Sequence, residues 1–186
     1  MQPTIVNNDF LEGDPIPGLG HYPQFLSPEE CAALENDVAK LWKPPVKVSF
    51  GEYRVLLPGG WTDLLEDIRK RIEALQLMSG NIDRIQVNHY DLHKGITDHV
   101  DTRVIDGAGI SVGSSSAVMH FRPTLDAPVT TRLLFSRGDL YFLTGKVRWY
   151  AHGILDGQED VFKGRTIPRI GKRVAVVFAQ RDLTEE

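Results

Sequence analysis

The hydrophobic period of this chain switches at Gly80. Before it, Trp61, Leu64, Leu65, Ile68, Ile72 and Leu75 recur at helical spacing. That pattern predicts a helix beginning near Thr62, with Gly80 as its C-terminal cap. An earlier helix starts at Ser27-Pro28-Glu29-Glu30, where Ser is the N-cap, Pro the first helical residue and Glu30 the closing half of a capping box. It is expected to run to about Trp42 and to stop before Pro44-Pro45. After Gly80 the apolar residues come in short runs: RIQVNHY, SAVMHF, TRLLF, GDLYFLTG and RVAVVFAQ, punctuated by Gly, Pro, Asp and Ser. Two helices followed by many short strands predict an α+β chain whose N-terminal helices pack on one face of a β-sandwich or jelly roll. At 186 residues, with no internal repeat, one domain is expected over 1–186: helices and a short lid over 1–80, and a strand-rich core over 81–186.

Composition narrows the setting. No apolar run reaches the roughly 20 residues of a membrane helix. MQPTIVNNDFLEGD lacks the basic and apolar regions of a secretory signal. Cys31 is the only cysteine, so an internal disulfide is excluded and a reducing, cytoplasmic setting is expected. The net charge of -4 argues against a strong grip on duplex DNA, though not against a local basic groove.

The chemistry concentrates in Asn88–Asp101, NHYDLHKGITDHVD, which holds three of the six histidines. Period two places Gln86, Asn88 and Tyr90 on one face of a strand, and Ile85, Val87 and His89 on the other. The same rule puts His99 and Asp101 on one face of an extended segment. An imidazole and a carboxylate, joined by a second imidazole, make the facial triad of non-haem Fe(II) oxygenases. A lone His-x-Asp arises by chance too readily to carry that reading.

Three ordered motifs carry it further. Asn88-x-Tyr90, Ile96 and His99-x-Asp101, then GDLYFLTGKVRWYAHGI (Gly138–Ile154), then GKRVAVVFAQR (Gly171–Arg181), resemble the AlkB family of Fe(II)/2-oxoglutarate dioxygenases. The likeness spans Ile82–Arg181 and reaches 16–80 only loosely, through PGLG and VSFGEYR. It implies a double-stranded β-helix, the jelly roll. It implies Fe(II) held by His99, Asp101 and His152, and 2-oxoglutarate bound by Arg173, Asn88 and Tyr90, with O2 as co-reactant. Within the family the nearest likeness is to the homologue domain that hydroxylates a modified wobble uridine of tRNA, through HVDT, SVGSSSAVMHF and the Thr-Gly turn.

The chain also departs from the family pattern. Ala175 stands where a polar residue is usual, and Ala179 where a second arginine is usual; Arg181 and Arg169 are the candidates to compensate. Thr102 and Arg103 follow the ligand Asp, and a cation there is a poor neighbour for a positively charged N-alkylated base. The lid region, Lys43–Gly60, has room for one short hairpin on which Lys43, Lys47, Tyr53 and Arg54 are candidates to meet a phosphate or stack on a base. KVSFGEYRVLL reads equally as a half-buried edge hairpin. His120 reads as a core or pocket histidine, His89 as facing away from the site, His93 as a loop residue near the mouth, and His21 as remote and solvated. The segments 102–113, 122–129 and 156–169 are expected to be rim loops. Two function classes follow: oxidation of a nucleic-acid base or its alkyl group, in single-stranded nucleic acid or tRNA, or hydroxylation of a protein side chain or small metabolite.

Overall fold

A computed structural model describes residues 6–41 and 44–184. In chain order the strands are β1 (Leu11–Gly13), β2 (Leu19–Tyr22), β3 (Val46–Val48), β4 (Gly51–Leu56), β5 (Arg84–Tyr90), β6 (Ile96–His99), β7 (Val104–Ser111), β8 (Ala117–Arg122), β9 (Thr131–Phe135), β10 (Leu140–Leu143), β11 (Ala151–Ile154), β12 (Glu159–Phe162), β13 (Arg165–Pro168) and β14 (Arg173–Arg181). Two helices, α1 (Pro28–Ala39) and α2 (Asp63–Ala74), lie among the first strands. The larger sheet runs β2-β10-β7-β14-β5-β4-β3 and the smaller β1-β9-β8-β11-β6, with all pairings antiparallel. This is the expected jelly roll, with both helices on one face.

Alternation along the larger sheet divides its side chains between two apolar layers. Ile85, Val87, Ile110, Leu140, Phe142, Val176 and Phe178 meet Leu34, Val38, Leu65, Ile68 and Ile72 of the helices. Tyr141 and Leu143, on the opposite face of β10, join Met119, Phe121, Leu133 and Phe135 between the sheets. α1 begins with the expected capping box: Glu30 N–H donates to Ser27 Oγ, and Ser27 N–H to the Glu30 carboxylate. It ends at Ala39, earlier than expected, and Trp42 lies outside the described residues.

α2 is capped by Thr62, whose side chain accepts from Leu65 N–H. Its end differs from expectation. The chain leaves the helix at Gln76, which takes the left-handed conformation (φ 54°) with its N–H on the Glu73 carbonyl. Gly80 lies beyond the helix, where a Cβ would come 2.5 Å from the Gln180 amide nitrogen.

Residues 102–113 are mostly strand and not loop, although Thr102, Arg103, Val104, Gly107 and Ala108 line a cavity between the sheets as expected of a rim segment. β7 is a central strand that the sequence hides because two of its eight residues are glycines, of which packing requires only one. A Cβ on Gly109 would lie 2.2 Å from the Tyr141 ring, whereas one on Gly107 would meet nothing within 4 Å. The 156–169 segment is also no loop. It forms the β12–β13 hairpin, held by the buried Arg169–Asp160 ion pair, while Val118 N–H of β8 donates to Asp160 at 3.3 Å.

Candidate active site

His152 and His99 are register partners across β11 and β6. Asp101 follows β6 by two residues and turns back between them. Its carboxylate oxygens lie 3.5 Å from His99 Nε2 and 3.7 Å from His152 Nε2. One donor atom from each residue falls within 4.8 Å of the others, which suits a single ion. Backbone carbonyls orient both rings: Thr97 O lies 2.8 Å from His99 Nδ1, and Tyr150 O lies 3.2 Å from His152 Nδ1. A carbonyl only accepts, so each Nδ1 carries the proton and each Nε2 keeps a lone pair for the centre.

A proton competes with a metal ion for the same position on His99 Nε2. Burial pulls the His99 pKa down, but hydrogen bonds to Asp101 and the Thr97 carbonyl, with the charges of Asp101 and Asp98, carry it above its usual value. Burial pushes Asp101 up, and the His99 hydrogen bond with the nearby charges of His152 and Arg148 outweighs it, so the carboxyl sits below its usual range. His152 is held below its usual value, chiefly by burial.

The loop carrying Asp101 is fixed from behind. The buried Arg148 donates to the carbonyls of Asp101 and Ile105. The outer face of β6 is fixed too. Asp98 reaches over β11 to His120 and to Arg122, the latter at 2.8 Å. Its path crosses Gly153, where a Cβ would lie 2.2 Å from Asp98 Oδ1. The glycine in His-Gly-Ile is therefore what lets Asp98 clamp β6. His120 is buried on that outer face and is no ligand of the cluster.

The three residues open on a cavity of about 770 Å³. Arg84, Gln86, Asn88 and Tyr90 line it from β5, and Arg173, Val177 and Ala179 from β14. The β5 residues form a polar file: Arg84 donates to Gln86 at 2.7 Å, Gln86 to Asn88 at 2.8 Å, and Asn88 Nδ2 lies 3.5 Å from the Tyr90 hydroxyl. At the far end the buried Arg173 guanidinium carbon stands 3.4 Å from the Tyr90 ring centroid. Its Nη2 is buried with no hydrogen-bond partner among the described residues, and the buried Ser111 hydroxyl is likewise unmatched. Tyr141 is near this end, its phenol pKa raised first by burial and then by Tyr90. Unpaired donors around a buried guanidinium fit an anionic ligand such as a carboxylate.

The two alanines of β14 gain an explanation from register. Ser111 is the partner of Ala175 on β7, and Arg84 the partner of Ala179 on β5. Register partners share a sheet face, so the adjacent strands supply the polar groups at those levels. The two candidates named from sequence do not: Arg181 pairs with Asp83 and Arg169 with Asp160.

Other expectations divide. Tyr53 faces the cavity with Phe50, while Lys47 and Arg54 both meet Glu52; Lys43 lies outside the described residues. Register explains the division, since Tyr53 opposes Asn88 and Arg54 opposes Val87, on opposite faces. His89 faces away from the cavity. His93, also absent from the cavity wall, is half-buried in a turn, and residues 122–129 do not line it. His21 is buried against Asp139 at 3.1 Å, not solvated. A second cavity of about 620 Å³ shares Val104 with this one but lacks the three clustered residues.

No family model matches this sequence, and no curated protein does. The fold has solved relatives. OsALKBH1 superposes with a TM-score of 0.63 at 15% identity, over 89% of this chain and 99% of that one. A viral collagen prolyl hydroxylase from Paramecium Bursaria Chlorella virus-1, solved with 2OG, gives 0.58 at 15%, over 88% and 96%. A 2OG-Fe(II) oxygenase family oxidoreductase from Burkholderia pseudomallei gives 0.60 at 18%, over 87% and 83%. At these identities the likeness establishes a shared jelly-roll fold.

Proposed function

We propose that residues 1–186 act as one Fe(II)/2-oxoglutarate-dependent dioxygenase domain whose metal ligands are His99, Asp101 and His152. The observation that carries the reading is the convergence of this triad with the unpaired Arg173 guanidinium in one cavity. The fold shared with 2OG-Fe(II) oxygenases supports it. Bound iron and 2-oxoglutarate supply oxidative chemistry in which O2 gives one oxygen to succinate, with loss of CO2, and the other to a substrate C–H. The chain's own residues orient that chemistry. Arg173 grips the distal carboxylate with a fork that stays charged at any working pH. Tyr90 packs against its face, and Asn88 presents its amide along the wall. Arg148 and Asp98 hold the ligand-bearing segments still, as outer partners of a metal site do.

The substrate reading is a nucleic-acid base or its alkyl group, hydroxylated in tRNA or demethylated, in single-stranded form. Phe50 and Tyr53 on the cavity wall offer faces on which a base can stack, and OsALKBH1 is among the structural relatives. A base must leave its duplex to reach such a cavity. A second reading, hydroxylation of a protein side chain or small metabolite, is favoured by the brevity of the lid, since β3 has three residues, all exposed. Prolyl hydroxylases share the fold as well.

Nucleoside mass spectrometry separates the two. Total tRNA and N-methylated oligonucleotides are incubated with Fe(II), 2-oxoglutarate and either wild type or His99→Ala. A nucleoside altered only by wild type supports the first reading, and its mass shift separates hydroxylation from demethylation. Unaltered nucleosides with continuing succinate formation move the assignment to the second.

A further inference from the structure

The cavity is unbalanced in charge. Its walls carry three guanidiniums, Arg84, Arg103 and Arg173, and one carboxylate, Asp101. If the dioxygenase reading holds, divalent iron and Arg173 are offset by Asp101 and the two carboxylates of 2-oxoglutarate. The inner end is then neutral, and Arg84 and Arg103 remain without counter-charge. Neither makes an ion pair among the described residues; Arg84 donates to the neutral Gln86 amide. Many of the other arginines pair with carboxylates, as at Arg69, Arg71, Arg137 and Arg169.

Both cations sit at one end of the cavity. Arg84 is the register partner of Ala179, and Arg181 the partner of Val104, next to Arg103. The Arg103 carbonyl accepts from Asp182 N–H at 3.0 Å. The pair therefore flanks the last residues of β14, whereas Arg173 begins that strand, roughly 20 Å away at the usual rise per residue. Arg103 also holds φ 57°, a backbone region that side-chain-bearing residues seldom enter. Between the cations the floor is small: Ala179, and Gly107, over which there is open space.

We propose that Arg84 and Arg103 form an oxyanion-binding subsite that recognises a phosphate or carboxylate on the substrate. The anion anchors at the mouth, and the reacting C–H extends over Gly107 toward the His99–Asp101–His152 cluster. This rests on the dioxygenase reading and sharpens it: the substrate is an anion. A base whose only charge is a positive alkylated ring is a poor fit, because two guanidiniums repel it. Planar guanidiniums match phosphate and carboxylate oxygens in pairs, which gives orientation as well as attraction.

The test is calorimetry at low salt, with saturating Mn(II) and 2-oxoglutarate so that Arg173 is already occupied, on wild type and the Arg84→Gln/Arg103→Gln double variant. One arm compares uridine 5′-monophosphate with uridine, the other benzoate with benzamide. The expected result is that at least one anion binds wild type tenfold or more tightly than its neutral counterpart, and that the double variant loses this preference. Preference in the phosphate arm assigns a nucleotide source, and preference in the carboxylate arm an organic acid. Equal binding of anion and neutral partner in both arms, or a preference that survives the double variant, overturns the proposal. A parallel titration of 2-oxoglutarate into Mn(II)-loaded wild type reports separately on the dioxygenase reading. Failure there sinks that reading and leaves the anion preference measurable.

Discussion

His99 and His152 face each other directly across the β6–β11 ladder, with ring centroids 4.6 Å apart. Antiparallel pairing thus makes the two imidazoles neighbours although 52 residues separate them in sequence. Replacing either leaves the remaining imidazole and Asp101 unable to complete a three-point site. His99→Ala is expected to weaken Fe(II) binding by more than the roughly 10–100-fold that loss of an outer partner causes. The His99 side chain is 37% exposed, so the thermal midpoint of the metal-free protein should move little. Tight binding retained by the variant in an anaerobic Fe(II) titration argues against the assignment.

Arg173 is buried with a vacant donor, and its loss removes half of a desolvated charge pair. Such truncations cost about 2–5 kcal/mol. Arg173→Gln should therefore raise the 2-oxoglutarate Kd by roughly 30-fold or more. Arg173→Lys should recover only part of the loss, because an ammonium lacks the paired donors of the fork. A Kd within a few-fold of wild type in both variants would contradict the assigned role.

Gly153→Ala should damage the site without touching a ligand. The added methyl displaces Asp98 from above β11, which frees β6 and shifts His99. The expected outcome is Fe(II) affinity reduced about 10–100-fold, comparable to other losses of outer support. Asp98→Asn, which retains the space but weakens the clamp, should fall between wild type and Gly153→Ala. Unchanged metal affinity in both would show that the clamp is not needed.

Gly107 and Gly109 share a face of β7, two residues apart, yet should respond oppositely. Gly109→Ala drives a Cβ into the Tyr141 ring and should destabilise by about 1–3 kcal/mol, as overpacking does. Gly107→Ala enters open space and should fold with wild-type stability. Thermal melts of the two variants provide the comparison, and equal midpoints would contradict the packing derived for this strand.

His89 gives the fold a pH dependence. Burial holds its pKa below the usual value, helped by the charge of Arg54. The unfolded chain takes up a proton at about pH 6.5, while the folded chain resists until lower pH. Its contribution is therefore intact above about pH 6.5 and declines as pH falls through the window down to the lowered folded value. Melts of wild type and His89→Gln between pH 8 and 5 should diverge below about pH 6.5, with the variant falling less steeply. Parallel curves would remove His89 as a cause.

Much of this was legible in sequence, and the failures have physical causes. RIQVNHY and TRLLF match β5 and β9 residue for residue, because alternation and β-branched or aromatic content agree there. β7 was not legible, since two glycines lower its strand propensity and the one that packing requires, Gly109, answers to Tyr141 on another strand. The end of α2 was misplaced because Gln76 takes the left-handed turn that a glycine usually provides. His21 looked solvated because its partner, Asp139, lies 118 residues away. His99, Asp101, His152, Arg173, Asn88 and Tyr90, all named from sequence, come together around one cavity. Arg84 was missed although the alternation that grouped Gln86, Asn88 and Tyr90, carried back two residues, points to it. Ser111 needed the β7–β14 register, which no sequence pattern reveals.

The most direct test of the central claim is an anaerobic calorimetric titration of 2-oxoglutarate into Fe(II)-loaded protein, with metal-free protein, Asp101→Ala and Arg173→Gln as comparisons. The expected result is one site per chain that depends on the metal, with binding lost in Asp101→Ala and strongly weakened in Arg173→Gln. Absence of binding to the loaded wild type, or binding indifferent to both substitutions, would contradict the assignment of this cavity as a dioxygenase centre.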